Sequence, residues 1–280
     1  MTISASKFYA LDREGCEALE TEFYARLKMR NGTFKLTRPA RFREVEEAFA
    51  PEIAARSSRL RQVLDVGVST GITSLDLARF LEEAGVDADI TATDLYIDAQ
   101  IVDIAPGVRV LADAAGWPLQ YDVLGVAIRP WTRRLDYVTL AALPLAAARA
   151  LALRLVPRAV AAGRTRPVRM VTRRAEPAGR IRFVENDIFA GTPAFVGRFD
   201  LVRAANILNR NYFDEPALVR AIANLKTYAR GPGALFWVAR TEEDGRNTAS
   251  LFELGPDGRF TVVARVGGGS EVEALVLAAA

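Results

Sequence analysis

Three groups of residues in this 280-residue chain have the types and spacing of a ligand site. The first is Leu64-Asp65-Val66-Gly67-Val68-Ser69-Thr70-Gly71, an apolar run that breaks into two glycines four positions apart. Gly67 permits the backbone to turn sharply off a strand, and Gly71 allows close approach where a helix begins. Ser69 and Thr70 set hydroxyls and amides beside a positive helix end, which suits a ligand carboxylate. The same residues also serve a plain strand-to-helix turn. The second group is Asp94, at the end of the next apolar run, where a carboxylate accepts ribose hydroxyls in nucleoside sites of this topology. A helix cap or an exposed loop acid is the other reading of Asp94. The third group is Asn206, Asn209 and Tyr212. The two amides would orient a hydroxyl, amine or carboxylate, and Tyr212 would hydrogen-bond or pack beside it. Equally, these residues would cap a helix starting near Asp214.

Absent residue types narrow the chemistry further. The chain contains no histidine. That removes Ser-His-Asp and Cys-His catalysis, the usual histidine-containing zinc sites and histidine general-base chemistry; no metal site is expected. Cys16 stands alone, which fits a reducing cytoplasm. Residues 1–14 have no apolar core and carry Asp12 and Glu14, unlike a secretory leader. The nearest approach to a membrane span, 137–156, is interrupted by Pro144, Arg149 and Arg154.

The elements that would position these residues follow from periodicity. Residues 1–30 and 39–55 read as helices. Residues 61–68 read as a buried strand, 72–84 as a helix and 89–94 as a second strand, one βαβ unit with parallel strands. Regularity then breaks over 98–180. Within it, 109–113 and 119–128 read as a hairpin through Gly116-Trp117-Pro118, 137–162 as a helix pair around Pro144 and Pro157, and 164–182 as a basic segment. The alternation resumes with strands at 181–185, 199–207 and 234–239 and a helix at 216–230. An antiparallel pair at 251–254 and 260–265 follows, with an edge strand at 272–277. The expected fold is α/β: a doubly wound, mostly parallel Rossmann-like sheet with a terminal antiparallel hairpin and an inserted hairpin and helical segment. The expected organisation is a helical segment over 1–60 and a main domain over 61–280, interrupted at about 98–180.

The LDVGVSTG turn and Ala92-Thr93-Asp94 resemble the first two motifs of class I S-adenosylmethionine-dependent methyltransferases. Asn186-Asp187-Ile188-Phe189 resembles the third, where an acid or amide meets the adenine. Residues 199–208, Phe199-Asp200-Leu201-Val202 running into Asn206-Ile207-Leu208, resemble the fourth, and Gly231-Pro232-Gly233-Ala234-Leu235 the turn before the fifth strand. This resemblance implies that Asp65, Gly67, Ser69, Thr70, Gly71, Asp94, Asn186, Asp187, Ile188 and Asn206 hold S-adenosyl-L-methionine. Ser69-Thr70-Gly71, Ala92-Thr93-Asp94 and residues 206–213 are also similar to the catalytic domain of chemotaxis receptor methyltransferases. Where that family has an arginine-asparagine pair, this chain reads Ala204-Ala205-Asn206, and the insertion is foreign to it. The turn lacks the middle glycine that lets a pyrophosphate approach the backbone, which favours S-adenosylmethionine over NAD.

Thirteen arginines between 129 and 182 face two acids, Asp136 and Glu176, so the formal net charge of +3 hides a strongly basic segment. With Trp131, Tyr137 and an Ala/Leu stretch, it suits an anionic membrane surface. A helical cap with solvated arginines is the other reading, and nucleic acid is disfavoured because few aromatics interleave the basic run. The leading expectation is methyl transfer to an oxygen or nitrogen of a small-molecule or lipid-like acceptor, in the cytoplasm or on the inner face of its membrane. A dinucleotide-dependent oxidoreductase and a non-catalytic, membrane-associated binding protein are the rivals.

Overall fold

The structure is a computed structural model and describes residues 3–279. The chain begins with helices α1 (Ala5–Phe8), α2 (Arg13–Tyr24) and α3 (Arg43–Ala54). Strand β1 (Gln62–Val66), helix α4 (Ile72–Glu83) and strand β2 (Asp89–Asp94) follow. Next come β3 (Asp98–Ala105), β4 (Val108–Asp113), β5 (Pro118–Val123), β6 (Val126–Ile128), α5 (Arg134–Val138), α6 (Ala142–Ala161) and β7 (Thr165–Arg169). The chain ends with β8 (Ile181–Glu185), β9 (Leu201–Ala205), α7 (Glu215–Tyr228), β10 (Leu235–Thr241), β11 (Asn247–Leu254), β12 (Phe260–Val266) and α8 (Glu273–Ala278). Contacts divide it into two units: residues up to 37 with 96–174, and 38–95 with 175–280.

The second unit is a seven-stranded sheet in the order β12-β11-β10-β9-β1-β2-β8. Strands β10, β9, β1, β2 and β8 are parallel, and β11 and β12 add an antiparallel hairpin. Successive side chains of a strand point to opposite faces, and the core obeys this. Val63, Leu201, Leu235, Trp237 and Leu251 pack with Phe49 and Ile53 of α3 and Leu77 and Leu81 of α4. Leu64, Val202, Phe236 and Phe252 pack with Leu218, Ile222 and Leu225 of α7 and Val276 of α8. Helices therefore cover both faces, and the doubly wound, mostly parallel sheet matches the expectation. Asp214 caps α7 by accepting the Ala217 amide at 2.9 Å.

The first unit is a five-stranded antiparallel sheet in the order β6-β5-β4-β3-β7. Phe8, Phe23 and Leu27 pack with Ile101, Leu111 and Leu119 in one core. Ala152, Val156 and Ala159 of α6 pack with Val102, Val110 and Tyr121 in the other.

Several expectations are corrected. The helix expected over 1–30 is two helices, α1 and α2, after which the chain turns back through a Lys28–Phe34 bridge. The boundary expected at residue 60 lies at 37: α3 packs on the second unit's sheet, and the N-terminal helices cover inserted strands. The helix pair expected around Pro144 and Pro157 is the single helix α6. Pro144 falls in its first turn, where no amide partner is required, and Pro157 is accommodated inside it. The edge strand expected at 272–277 is helix α8. β3 and β7 escaped the periodicity reading because β7 is Arg-rich and holds Pro167. Such a strand is tolerated at a sheet edge, where β7 lies.

Phe49 is fully buried and meets Trp237 edge-on at 5.2 Å between ring centroids. Phe49→Ala is expected to cost ~3–5 kcal/mol of stability, whereas Leu135→Ala on an exposed helix turn should stay within about 0.5 kcal/mol. Urea-unfolding midpoints of the two variants check this.

Candidate functional site

The strand order of the second unit reverses between β1 and β9, and ligands of open α/β sheets bind beyond the carboxyl ends of strands at that point. Under it lies a buried ion pair. β1 and β9 run in parallel with Asp65 opposite Arg203, and each residue is 1% exposed. Arg203 Nε and Nη2 donate to the two Asp65 carboxylate oxygens at 2.8 Å each, and Nη2 also donates to the Thr73 carbonyl at 2.9 Å. Ser74 Oγ donates to Asp65 Oδ2 at 2.7 Å. Glu46 lies 3.8 Å from Nη1, and the guanidinium sits 5.8 Å from the Trp237 ring centroid. Burial alone disfavours the Arg203 cation, yet Asp65, then Glu46, outweigh it and the pKa is raised. Asp65 is therefore committed inside the protein: it fastens β1 to β9 and to the first turn of α4, and it presents no carboxylate to a ligand.

The turn that follows is held by strand β2 and its end. The amides of Gly67 and Val68 both donate to the Thr93 carbonyl, at 2.7 and 3.1 Å. The Ser69 amide donates to Asp94 Oδ2 at 2.7 Å. Gly67 and Gly71 have φ of 72° and 81°, and Ser69 adopts 58°, so three of five residues are left-handed. The glycines are also required by packing. A Cβ on Gly67 would meet the Ile207 Cβ at 2.8 Å, and one on Gly71 would meet the Phe183 ring at 2.3 Å. The close approach read from Gly71 is thus made by a protein side chain, and a side chain also packs against Gly67. Thr70 is 1% exposed, and its hydroxyl has no hydrogen-bond partner among the described residues.

The third group forms one loop after β9. Asn206 is left-handed at φ 59°; its amide donates to the Ala239 carbonyl and its Oδ1 accepts from Thr241 N at 2.8 Å. Asn209 is buried, accepts from the Asn211 and Tyr212 amides at 3.1 Å each, and donates to the Asn206 carbonyl at 3.2 Å. Those bonds make Asn209 a residue that shapes the loop, and the cap of the helix that follows is Asp214 instead. Tyr212 is 60% exposed. Sequence reading missed Arg41, whose Nε donates to Thr241 Oγ1 at 2.9 Å. Burial, then Arg38, lower its pKa, and Tyr212 acts in the opposite sense. Its only signal was an arginine beside a proline-led helix start, which nothing tied to residue 241.

After β8, the Asn186 amide donates to the Asp94 carbonyl at 3.0 Å and its side chain donates to Thr192 Oγ1 at 2.6 Å. Asp187 is exposed, and its Oδ1 accepts the Phe189 amide at 2.9 Å. Ile188 is buried in the core with Phe195 and Leu225, so its side chain serves packing. The structure therefore gathers Ser69, Thr70, Asp94 and Asn186 around the ends of β1, β2 and β8, and Asn206 beside the end of β10. Asp65 and Ile188 lie in the interior. Among the described residues no cluster of His, Cys, Asp or Glu has the form of a metal site.

No protein-family model matches the chain, and a search of curated proteins finds no relative. Among solved structures it is similar to the CMeT domain of the citrinin polyketide synthase, with 15% identity over 83% of this chain and 40% of that one, at a TM-score of 0.38. It is similar to an O-methyltransferase family protein from Burkholderia thailandensis, with 13% identity over 85% of this chain and 45% of that one, TM-score 0.34. It is also similar to CalS10, an amino pentose methyltransferase from Micromonospora echinaspora, with 13% identity over 84% of this chain and 81% of that one, TM-score 0.36. The chain spans less than half the length of the first two. Scores this low leave the fold to be read from the strand order itself.

Glu46 supplies a pH dependence. Burial raises its pKa above the ordinary 4.5, with Arg203 opposing the rise. The folded state therefore holds the Glu46 proton to higher pH than the unfolded state. This contribution to stability is complete below about pH 4.5 and declines as pH rises through the folded value. Glu46→Gln is expected to remove that decline. Urea denaturation between pH 4 and 7 should show a shallower loss of stability with rising pH than in the wild type.

Proposed function

We propose that this chain transfers a methyl group from S-adenosyl-L-methionine to an oxygen or nitrogen of a small-molecule or lipid-like acceptor. The observation that carries the reading is Asp94, held at the end of β2 against the Ser69 amide, beside the switch between β1 and β9. An acid in that position suits ribose hydroxyls. The buried, unsatisfied Thr70 hydroxyl fits the polar tail of such a ligand, since an orphaned buried group costs stability until a partner arrives. Asn186, at the end of β8, would meet the base.

A sulfonium-bound methyl is itself activated, so what the cofactor supplies when bound is a reactive methyl with a good leaving group. The protein's share is alignment and exclusion of water. Asp94 would orient the ribose, and the Asn206 side chain, already fixed by Thr241, would orient the acceptor. Tyr212, exposed on the same loop, would close over it. Deprotonation of the acceptor cannot use histidine, because the chain has none.

A lipid-like acceptor at an anionic surface is favoured by one further observation. Leu135, Tyr137, Val138, Leu140 and Leu143, around α5 and the start of α6, are 66–80% exposed, and Arg133 and Arg134 flank them. Apolar side chains with adjacent arginines suit a headgroup region. Among the described residues no helix is long and apolar enough to cross a membrane.

Two measurements follow. Calorimetry should show S-adenosylhomocysteine binding in preference to NAD, and Asp94→Ala should weaken it at least about tenfold, the loss of one or more charged hydrogen bonds. A preference for NAD would replace this reading with the oxidoreductase. The chain should also co-sediment with anionic but not neutral vesicles, less so as salt rises. Leu135→Asn with Val138→Asn should reduce that binding severalfold, and indifference of the wild type to anionic vesicles at low salt would remove the membrane surface from the proposal.

A further inference from the structure

The first unit holds a cavity of about 210 Å³ that the proposed activity does not use. Its walls include Trp117, Trp131, Lys28, Arg30, Thr132 and Arg149. Four separate pieces of chain deliver them. The turn after α2 is closed by the Lys28–Phe34 bridge, with the Met29 amide donating to the Thr33 carbonyl at 2.8 Å, and it presents Lys28 and Arg30. The β4–β5 turn presents Trp117, whose amide donates to Asp113 Oδ1 at 2.7 Å. The link from β6 to α5 presents Trp131 and Thr132, and α6 presents Arg149.

The aromatic walls are fixed in place. Trp131 meets Phe34 edge-on at 5.3 Å, and its Nε1 donates to the Arg26 carbonyl at 3.4 Å. Cations sit on both indoles: Lys28 lies 6.0 Å and Arg133 5.2 Å from the Trp131 ring centroid, and Arg149 lies 5.7 Å from that of Trp117. Among the described residues, Lys28, Arg30 and Arg149 form no ion pair. The nearby acid is Asp113, which feels the Arg30 charge but spends its carboxylate on the turn that carries Trp117. A second cavity, of about 320 Å³, also borders Trp131, but its Arg26 and Arg129 are already paired with Glu22 and Asp136.

Three cations that line one recess repel one another, and a bound anion relieves that repulsion. Guanidinium and ammonium groups match the oxygens of a carboxylate or phosphate. Indole rings offer flat faces on which an aromatic ring stacks. We propose that this cavity is a binding site for a small aromatic anion, a flat ring carrying a carboxylate or phosphate, with the ring against Trp117 and Trp131 and the charge on Lys28, Arg30 and Arg149. The site is independent of methyl transfer, because it needs no nucleoside and lies within one unit.

The test is titration of the full chain with phenyl phosphate, benzoate, benzamide and inorganic phosphate, with no nucleoside present. Tryptophan fluorescence and calorimetry report binding. The expected result is saturable binding of phenyl phosphate or benzoate, with benzamide and inorganic phosphate each at least tenfold weaker. A preference between the two aromatic anions distinguishes a phosphate-bearing from a carboxylate-bearing ligand. Arg149→Gln and Lys28→Gln should each weaken binding severalfold, and together at least tenfold, while the unfolding midpoint stays that of the wild type. Arg149→Gln alone keeps the proposal testable should the double variant fold poorly, since it leaves a helix-forming residue in α6. Absence of saturable binding of either aromatic anion overturns the proposal. So does benzamide or inorganic phosphate binding as tightly as they do, or a folded Arg149→Gln that binds as the wild type.

Discussion

The buried pair of Asp65 and Arg203 is the constraint on which the rest of the second unit depends. It joins the two central strands at the point where the sheet changes direction, and it reaches through Thr73 into the first turn of α4. Two charges taken out of water cost several kcal/mol each unless their hydrogen bonds are filled. Here Ser74 and the Thr73 carbonyl fill most of them, Trp237 and Glu46 surround the guanidinium, and Arg203 Nη1 has no hydrogen-bond partner among the described residues. Only one register of β1 against β9 brings the charges together. That register sets where the 67–71 turn and the 206–213 loop leave the sheet.

The turn itself is a chain of dependencies. Its left-handed residues are stabilised by the Thr93 carbonyl and the Asp94 carboxylate, so β2 determines the shape of a loop that belongs to β1. Ile207 and Phe183 press against its two glycines from β9's loop and from β8. Residues of β2, of β8 and of the loop after β9 thus shape the five residues of the turn.

The first unit follows a different logic. Its antiparallel sheet has a core on each face, one from the N-terminal helices and one from α6. Its arginines, which look like one basic tract in sequence, are dispersed by the fold. Arg129 pairs with Asp136 and Arg174 with Glu20, and Arg173 donates to the Leu11 carbonyl. Arg149 instead lies on an indole at the cavity. The fold thus divides the tract among ion pairs, backbone carbonyls and, at the cavity, an indole ring.

The βαβ unit, the strands expected at 181–185, 199–207 and 234–239 and the helix after Asp214 were legible because each buries a continuous apolar run or a helical stripe, and such patterns are properties of neighbouring residues. The glycine turn and Asp94 were legible for the same reason, since a sharp turn demands glycine locally. What the sequence could not express was pairing between distant positions. An aspartate in β1 and an arginine in β9 are 138 residues apart, and only parallel register makes them partners. Asn209 reads equally as a ligand group or a cap until the Asn211 and Tyr212 amides are seen to occupy it. β7 reads as a basic loop until β3 supplies its partner. The amino-acid sequence by itself determined the parallel α/β core and the place of its turn, through local hydrophobic periodicity and backbone freedom. The tertiary structure alone decided which charges are spent inside the protein and which stay at its surface, because burial and hydrogen-bond partners come from contacts between residues far apart in the chain.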